Sequence, residues 1–305
     1  MEHMKNFTAF VEKEHVRDIN VGQSGAWVCE IRGGRIAKLT RRSSLKEDGL
    51  WQKYENEAAF YEWVKDEALP FVPQVLFIGR QENEILLVMK KYTPIARSAL
   101  SDAQLCKVWD TLAMIHTTPV PGFLPRGERK PLAYTRAEAE GFIAGWERVL
   151  AEHPGAFSAD VLHQIGRDIN PINIALHSTY KCFTHGDFHF DNLLTDEEGR
   201  VVVCDWQGCG AGDPSGDLSF LISRLLSDGY PLDAEKLVEG YCRHANRRGL
   251  MLQPQDVHAR MALANLNTSF MYWHMYLHGA DEARVGSIYE KMTEDYRLLM
   301  GRLNP

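Results

Sequence analysis

The chain lacks both paired cysteines and long apolar runs. No CxxC pair or His/Cys cluster completes a zinc pattern, so reduced thiols in a cytoplasmic protein are expected. The charged start, residues 1–8, has no apolar segment typical of a signal peptide. The apolar stretch 261–277 is interrupted by polar residues and predicts no membrane span. The cysteines are Cys29, Cys106, Cys182, Cys204, Cys209 and Cys242.

The chain also lacks an excess of basic residues. It carries 34 Lys and Arg against 41 Asp and Glu, a formal net charge of -7. A protein that binds nucleic acid over a broad face is usually basic, so no nucleic-acid partner is expected, whereas a cationic small molecule is compatible with this charge. With 305 residues, the chain can form one large domain or two lobes around a shared cleft, as a monomer or a homodimer.

The first ninety or so residues have the pattern of a sheet with one helix. Apolar and β-branched residues predict strands at 26–31, 35–39, 75–79 and 85–89, and Gly33-Gly34 predicts a hairpin turn between the first two. The polar segment 41–49 is expected to be a loop. Helical spacing of apolar residues follows over 51–67 and ends before Pro70.

Beyond a connector at Lys90 to Pro94, the periodicity becomes mainly helical. Helices are predicted at 102–116, 136–153 and 159–176, and again from Asp217 to Leu303. Two short strands, 192–195 and 201–204, interrupt this pattern. The prediction is an α+β, bilobal fold with a small antiparallel-sheet lobe at 1–92, a hinge near 89–92, and a larger helical lobe at 93–305.

Chemically useful side chains concentrate between His185 and Asp217. Asp187 and Asn192 lie five positions apart in a loop that enters a hairpin, and Asp205 follows the second strand of that hairpin. Asn192 and Asp205 can therefore meet at its mouth, where their oxygens suit Mg²⁺. Asp187 can accept the proton of an attacking hydroxyl. This set favours phosphoryl transfer.

The same segment resembles the aminoglycoside phosphotransferase and choline kinase superfamily, which shares the protein-kinase fold. The resemblance rests on His185-x-Asp187-x-x-x-x-Asn192, on Asp205-Trp206, and on Gly212-Asp213-Pro214-x-x-Asp217-Leu218. It implies that Asp187 is the catalytic base, that Asn192 and Asp205 hold Mg²⁺, and that Asp217 braces the catalytic loop. His185 would order that loop. The resemblance runs from about residue 20 to about residue 224.

The sheet-rich lobe is expected to bind the phosphates of ATP. The turn that contains Ser24 and Gly25 can present backbone N–H groups and a hydroxyl to them, although such turns are common. Lys38 can reach the phosphates as a point charge, and Glu57 on the following helix can pair with it. Glu55 is the rival partner, but it faces elsewhere on the helix.

The connector between the lobes is expected to hold adenine. In the family, its backbone groups hydrogen-bond to the base, which implies this role for Lys90 and Tyr92, with Met89 lining the pocket. His189 could serve as a base or a metal ligand, but loop packing is favoured because nothing nearby completes a metal set. Asp213 is expected to cap its turn rather than to act in catalysis.

The acceptor is a small molecule with a hydroxyl group whose identity the sequence leaves open. An aminoglycoside enzyme needs several carboxylates, whereas a choline or ethanolamine enzyme needs an aromatic cage, and the helical tail offers both residue types. A sugar kinase also fits. A protein kinase is disfavoured because few residues separate Asp205 from Gly212. A pseudokinase usually lacks the base or a metal ligand, and this chain retains all three.

Overall fold

The N-terminal part of the computed structural model is a five-stranded antiparallel sheet with a helix at its start and a second, longer helix inserted after β3. The strands lie in the order β1-β2-β3-β5-β4. Their bounds, with the two helices, are α1 Phe7–Glu14, β1 His15–Asp18, β2 Trp27–Ile31, β3 Arg35–Arg41, α2 Asp48–Glu67, β4 Val75–Arg80 and β5 Glu84–Lys90. The structure describes residues 6–19, 25–45, 48–67, 69–95, 101–125, 130–178, 180–227 and 233–303.

The four strands and the helix predicted for this part are confirmed, with small shifts at their ends. Gly33 and Gly34 have φ angles of 79° and 62°, so they form the turn that the glycine pair predicts. The predicted loop 41–49 is shorter than expected, because β3 continues to Arg41 and α2 already begins at Asp48. The sequence pattern did not predict α1 or β1.

The remainder of the chain is mainly helical. Its helices are α3 Asp102–Thr117, α4 Arg136–Ala151, α5 Asp160–Ala175, α6 Ser215–Ser227, α7 Ala234–Arg247, α8 Pro254–Tyr272 and α9 Glu282–Leu303. The α+β fold class is therefore confirmed. Among the residues that the structure describes, no helix is both long enough and apolar enough to span a membrane.

Two small sheets are built mainly from the segment between Cys182 and Gly212. One pairs β7 Cys182–Thr184 with β10 Gly210–Gly212, and the other contains β6 Thr93–Pro94, β8 Leu193–Thr195 and β9 Val201–Val203 in the order β6-β8-β9. The hairpin of β8 and β9 is the one predicted from the sequence. Because β6 forms the end of the connector, this sheet joins the connector to the β8–β9 hairpin.

A stack of aromatic rings ties α2 to the catalytic segment. The ring centroids of Phe60 on α2 and Trp206 lie 4.2 Å apart, and those of Phe183 on β7 and Trp206 lie 5.6 Å apart. Stacked rings contribute both buried area and a geometric preference. Because Trp206 follows Asp205 directly, the stack fixes the position of α2 relative to Asp205.

Candidate active site

Asp217 holds the backbone of the loop that contains His185, Gly186 and Asp187. Its two carboxylate oxygens accept hydrogen bonds from the backbone N–H groups of His185 and Gly186, each at 2.7 Å. Asp217 lies in the first turn of α6, where the helix dipole favours a negative charge. This arrangement supports the bracing role that the family resemblance implies for Asp217.

Asp217 itself is supported by two residues that the sequence analysis missed. His116 on α3 lies 3.1 Å from a carboxylate oxygen of Asp217, and its other ring nitrogen contacts the hydroxyl of Tyr241 on α7. Burial opposes the charge of Asp217, but the hydrogen bond and charge of His116 outweigh it and lower the pKa of Asp217. No local motif connects His116 with Tyr241, because they lie 125 positions apart.

Gly186 makes a backbone approach that no other residue type can make. Its φ of +80° lies in the left-handed region, and a Cβ atom at this position would overlap the carbonyl oxygen of Gly208. The close pair of glycines brings the catalytic loop against the segment that follows Asp205. Glycine at position 186 is therefore a requirement of the site, whereas a Cβ on Gly208 would make only a tight contact, 3.1 Å from the carbonyl carbon of Gly186.

Replacement of Gly186 with Ala is expected to destabilise the protein by on the order of 1–3 kcal/mol, from strain and overlap together. Gly141→Ala is the matched control, because Gly141 lies in α4 with no heavy atom within 4 Å of the added Cβ. It should stabilise the helix by about 0.5–1 kcal/mol. Chemical denaturation measures both effects, and equal stability of the two variants would refute the requirement.

His185 orders the loop from within. Its Nε2 lies 3.0 Å from the carbonyl oxygen of Cys204, to which it donates, while its Nδ1 accepts a hydrogen bond from the backbone N–H of Asp187 at 3.2 Å. Burial lowers the pKa of His185, so the neutral ring can fill both roles. The contacts agree with the loop-ordering role implied for His185.

Asn192 directly precedes β8 and Asp205 lies two positions after β9, so both stand at the open end of the hairpin, and both line one cleft. The backbone N–H of Cys204 donates to the carbonyl oxygen of Asn192 at 3.0 Å, so the residues that flank the two strands are paired. Asp205 has φ 65° and ψ 63°, a left-handed conformation that Asp adopts more readily than most residues. Such conformations cluster at functional sites.

Asn192 also reaches the proposed base. Its Nδ2 lies 2.9 Å from the carbonyl oxygen of Asp187 and 3.3 Å from the carboxylate Oδ2 of Asp187. Asn192 is buried, whereas the side chain of Asp187 is 41% exposed. The carboxylate is therefore open to an incoming hydroxyl while its backbone is held in place.

Lys38 joins the sheet to the catalytic segment. Its Nζ lies 2.8 Å from Oε2 of Glu57 and 2.7 Å from Oδ1 of Asp205. Burial disfavours the charge of Lys38, but the two carboxylates outweigh burial and raise its pKa. Glu55, the rival partner, instead pairs with Arg80 at 2.7 Å. The structure therefore places Glu57, and not Glu55, beside Lys38.

The two carboxylates beside Lys38 differ in environment. Burial raises the pKa of Glu57 to about 7, against the effect of Lys38. Burial also tends to raise the pKa of Asp205, but the charge and hydrogen bond of Lys38 outweigh burial and lower this pKa. Asp205 therefore ionises at a lower pH than Glu57.

Lys38, Glu57 and Asp205 line a cleft of about 360 Å³. Met89, Lys90 and Tyr92 line the same cleft, and so do Val28, Ile36 and Leu194, which the sequence analysis did not assign to the site. Val28 is paired with Lys38 across β2 and β3, so strand register could have identified it. Apolar walls with a polar end are typical of ligand pockets.

Side chains of the connector make contacts of their own. Lys90 Nζ pairs with Glu197 at 3.0 Å, and the Tyr92 hydroxyl accepts from the N–H of Gln74 at 3.1 Å. The backbone N–H groups of Lys90 and Lys91 already donate within the sheet, to Gln74 and Gly34. The Tyr92 N–H is thus the connector's candidate donor to a base.

The turn predicted to cover the phosphates is described only at its end. Ser24 lies outside the described residues. Gly25 has a φ of +85°, and a Cβ there would lie 3.0 Å from the carbonyl oxygen of Ser44. Gly25 therefore suits a tight turn, and its part in phosphate binding stays a prediction.

A second cavity, of about 410 Å³, lies between the ends of α2 and α3 and is lined by residues such as Trp63, Phe71 and Met114. None of the predicted site residues lines it. Cavity volume alone therefore does not locate the active site.

The residues at the hairpin mouth fit a magnesium ion. Within the described residues, no group of three or more His, Cys, Asp or Glu side chains could hold a metal. Mg²⁺ needs no such cage, because it takes one or two protein oxygens and completes its shell with phosphates and water. Asp205, with its lowered pKa, and the amide oxygen of Asn192 supply oxygens of this kind.

A five-stranded antiparallel sheet followed by a mainly helical region agrees with the protein-kinase-like class of fold. Residues 16–253 match the family described as "Phosphotransferase enzyme family". That match covers more than half of the chain, so this protein belongs to the phosphotransferase enzyme family. The predicted family and enzyme class are thereby confirmed. No curated protein sequence matches the chain.

Solved structures agree with this assignment at the level of the fold. The ADP-bound aminoglycoside phosphotransferase APH(2'')-Ib is 14% identical with a TM-score of 0.61, and the match covers 95% of this chain and 98% of that one. The choline kinase LicA from Streptococcus pneumoniae is 15% identical with a TM-score of 0.58, over 96% and 98%. The AMP-bound spectinomycin phosphotransferase APH(9)-Ia is 12% identical with a TM-score of 0.58, over 96% of each chain.

Proposed function

We propose that this protein transfers the γ-phosphoryl group of ATP to a hydroxyl group of a small molecule. The observation that carries the proposal is the junction at Lys38, which contacts Glu57 and Asp205, and all three residues line one cleft. Phosphoryl transfer depends mainly on positioning and charge neutralisation, and this junction supplies both. The division near residue 92 would then separate the nucleotide-binding part from the catalytic part.

Asp187 is the proposed base. Its exposed carboxylate takes the proton as the acceptor's oxygen forms the new bond to phosphorus, and the leaving oxygen remains on ADP. Asp217 holds the backbone N–H groups of His185 and Gly186, the two residues before Asp187, which limits the movement of the base. Lys38 would place its charge against the α- and β-phosphates.

Asn192 and Asp205 would hold Mg²⁺, which neutralises charge on the phosphates when it is bound. The apolar walls of the cleft would hold adenine, with the N–H of Tyr92 directed to its edge. Related structures contain ADP, GDP or AMP, so the fold accommodates more than one nucleotide. ATP is our proposal for this chain.

An aminoglycoside-like, cationic acceptor is the leading candidate. The carboxylates of Asp187 and Asp191 are 41% and 37% exposed on the catalytic loop, where they could attract ammonium groups. One similar structure is a gentamicin complex of APH(2")-IIa.

Choline-like, ethanolamine-like or sugar acceptors form the second candidate. This candidate is favoured by the exposed ring of Phe220, whose centroid lies 5.5 Å from that of His189. Such a ring can face a quaternary ammonium or a sugar.

A coupled ADP-release screen tests the proposal. Aminoglycosides, choline, ethanolamine, homoserine and sugars are each added to protein, ATP and Mg²⁺, and one class should raise ADP release well above the acceptor-free rate. Nucleotide binding measured in parallel separates the alternatives. Binding with no turnover would indicate a pseudokinase, and absence of both would contradict the proposed function.

Replacement of Asp205 with Ala is expected to weaken binding of Mg²⁺-ATP by at least about tenfold, because a metal ligand is lost. Affinity for ATP in EDTA should stay the same or rise, since Lys38 is released from one carboxylate. Calorimetry in the two buffers measures this difference. Asp110→Ala, which removes an exposed carboxylate on α3, is the control. Equal affinities of wild type and Asp205→Ala for Mg²⁺-ATP would exclude Asp205 as a ligand.

A further inference from the structure

His189 lies between the proposed base and the proposed metal ligand. Its Nε2 is 3.2 Å from Nδ2 of Asn192 and 3.6 Å from Oδ2 of Asp187. Its Nδ1 is 3.3 Å from the backbone N of Asp191 and 3.5 Å from Oδ2 of the same residue. The side chain is 15% exposed. In this position, the imidazole can accept a hydrogen bond either from the backbone N–H of Asp191 or from the side-chain amide of Asn192.

The orientation of the Asn192 amide decides what its oxygen faces. Because Nδ2 donates to the carbonyl oxygen of Asp187 at 2.9 Å, Oδ1 is directed away from that carbonyl. A rotation of the amide by half a turn would bring two oxygens together there, and it would direct a donor at the metal position. Only the first orientation gives Mg²⁺ an oxygen ligand.

The second hydrogen of Nδ2 has two possible acceptors. One is Nε2 of His189 at 3.2 Å, and the other is Oδ2 of Asp187 at 3.3 Å. If His189 accepts this hydrogen, Oδ2 of Asp187 stays available to the hydroxyl of the acceptor. Nε2 of His189 would therefore hold the amide of Asn192 and, by doing so, keep the carboxylate of Asp187 available for the hydroxyl.

An imidazole with one ring proton has one acceptor nitrogen, so His189 can serve only one of its two donors. With the proton on Nδ1, that N–H faces Oδ2 of Asp191 at 3.5 Å, and Nε2 accepts from Asn192. With the proton on Nε2, two donors face each other at 3.2 Å, and Nδ1 caps the N–H of Asp191 instead. The first arrangement places Nδ1–H against the backbone N–H of Asp191 at 3.3 Å, so each arrangement opposes one pair of donors, and only the first lets His189 hold the amide of Asn192.

We propose that His189 is a positioning residue, which holds the amide of Asn192 so that its oxygen faces Mg²⁺. The inference rests on the proposed function, because it assigns a second residue to the proposed metal site. His189 acts through Asn192 and does not itself contact the metal. Partners of this kind usually change metal affinity about 10–100-fold when they are removed.

Two substitutions separate positioning from loop capping. In His189→Gln, the side-chain oxygen reaches about as far as Nε2 and can still accept from Asn192, but the cap on Asp191 is lost. In His189→Asn, the oxygen lies near the place of Nδ1 and keeps the cap, but it cannot reach Asn192. Thermal denaturation of both variants establishes that each is folded.

The readout is Mn²⁺ binding to the protein–ADP complex, followed by electron paramagnetic resonance, which needs no acceptor and no turnover. His189→Gln should bind Mn²⁺ within about threefold of wild type, and His189→Asn should bind it roughly 10–100-fold more weakly, with ADP affinity in EDTA unchanged in both. The reverse order, or equal behaviour of the two variants, would overturn the positioning role. Failure of wild type itself to bind Mn²⁺ beyond the ADP in solution would instead overturn the proposed metal site.

Discussion

Replacement of Asp187 with Asn is expected to lower kcat for phosphoryl transfer by about 10²–10⁴-fold. An amide cannot take the proton of the attacking hydroxyl, whereas it has nearly the same size as the carboxylate. Nucleotide affinity should change little, because the contacts of Lys38 with Glu57 and Asp205 remain. Initial rates of ADP formation with the best acceptor, and calorimetry with Mg²⁺-ATP, measure the two quantities.

Asp110→Asn is the control for Asp187→Asn. Asp110 is an exposed residue of α3 that pairs with His244 at 3.0 Å, and surface pairs of this kind contribute little. Its rate should match that of wild type. If Asp187→Asn kept kcat within about threefold of wild type while it remained folded, general-base catalysis by Asp187 would be excluded.

Replacement of Lys38 with Met is expected to destabilise the protein by about 3–5 kcal/mol and to abolish tight nucleotide binding. Glu57 is almost fully buried, so the loss of Lys38 leaves its carboxylate without a compensating charge. The loss of affinity follows because, among the described ion pairs, Lys38 is the cation that pairs with Asp205, whereas Arg17, Lys90 and Lys91 line the cleft without such a pair. Urea denaturation and nucleotide calorimetry measure the two effects.

The double variant Lys38→Met/Glu57→Gln separates stability from binding. It should regain most of the lost stability, because the buried charge is gone, but it should not regain nucleotide affinity. A double variant as unstable as Lys38→Met alone would show that the loss comes from packing of the lysine chain. Regained nucleotide affinity would contradict the phosphate role of Lys38.

The instability of Lys38→Met should depend on pH. Burial raises the pKa of Glu57 above its ordinary value of 4.5, and Lys38 opposes this shift. When a carboxyl group has a higher pKa in the folded state than in the unfolded state, the protein loses stability as pH rises from the unfolded-state pKa towards the folded-state pKa. The deficit of the variant should therefore be larger at about pH 8 than at about pH 5.5. A deficit that is constant over this range would show that Glu57 is not the cause.

The sequence could predict those parts of the site that depend on short-range pattern. Asp187, Asn192 and Asp205 are linked by one loop and one hairpin, so their spacing alone brings them together. Lys38 is placed by strand alternation, and the choice of Glu57 over Glu55 follows from helical phase. In each case, the prediction depends on a spacing or an alternation that a few neighbouring residues of the chain already show.

Contacts between distant segments could not be predicted in the same way. His116 and Tyr241 support Asp217 from two other helices, and nothing in their local sequences indicates this role. The approach of Gly186 to Gly208 depends on the pairing of β7 with β10, two three-residue strands whose alternation is too short to recognise. The helix α1 was missed because its few apolar residues lie in a charged segment.

In the proposed reaction, a phosphoryl group passes from ATP to a hydroxyl oxygen of a small molecule. Phosphorus NMR of a reaction with wild-type protein, ATP, Mg²⁺ and the acceptor found by screening detects this transfer. We expect a new phosphate monoester resonance that grows in step with ADP and is absent with Asp187→Asn. Formation of inorganic phosphate alone, or of AMP and a nucleotidyl product, would contradict it.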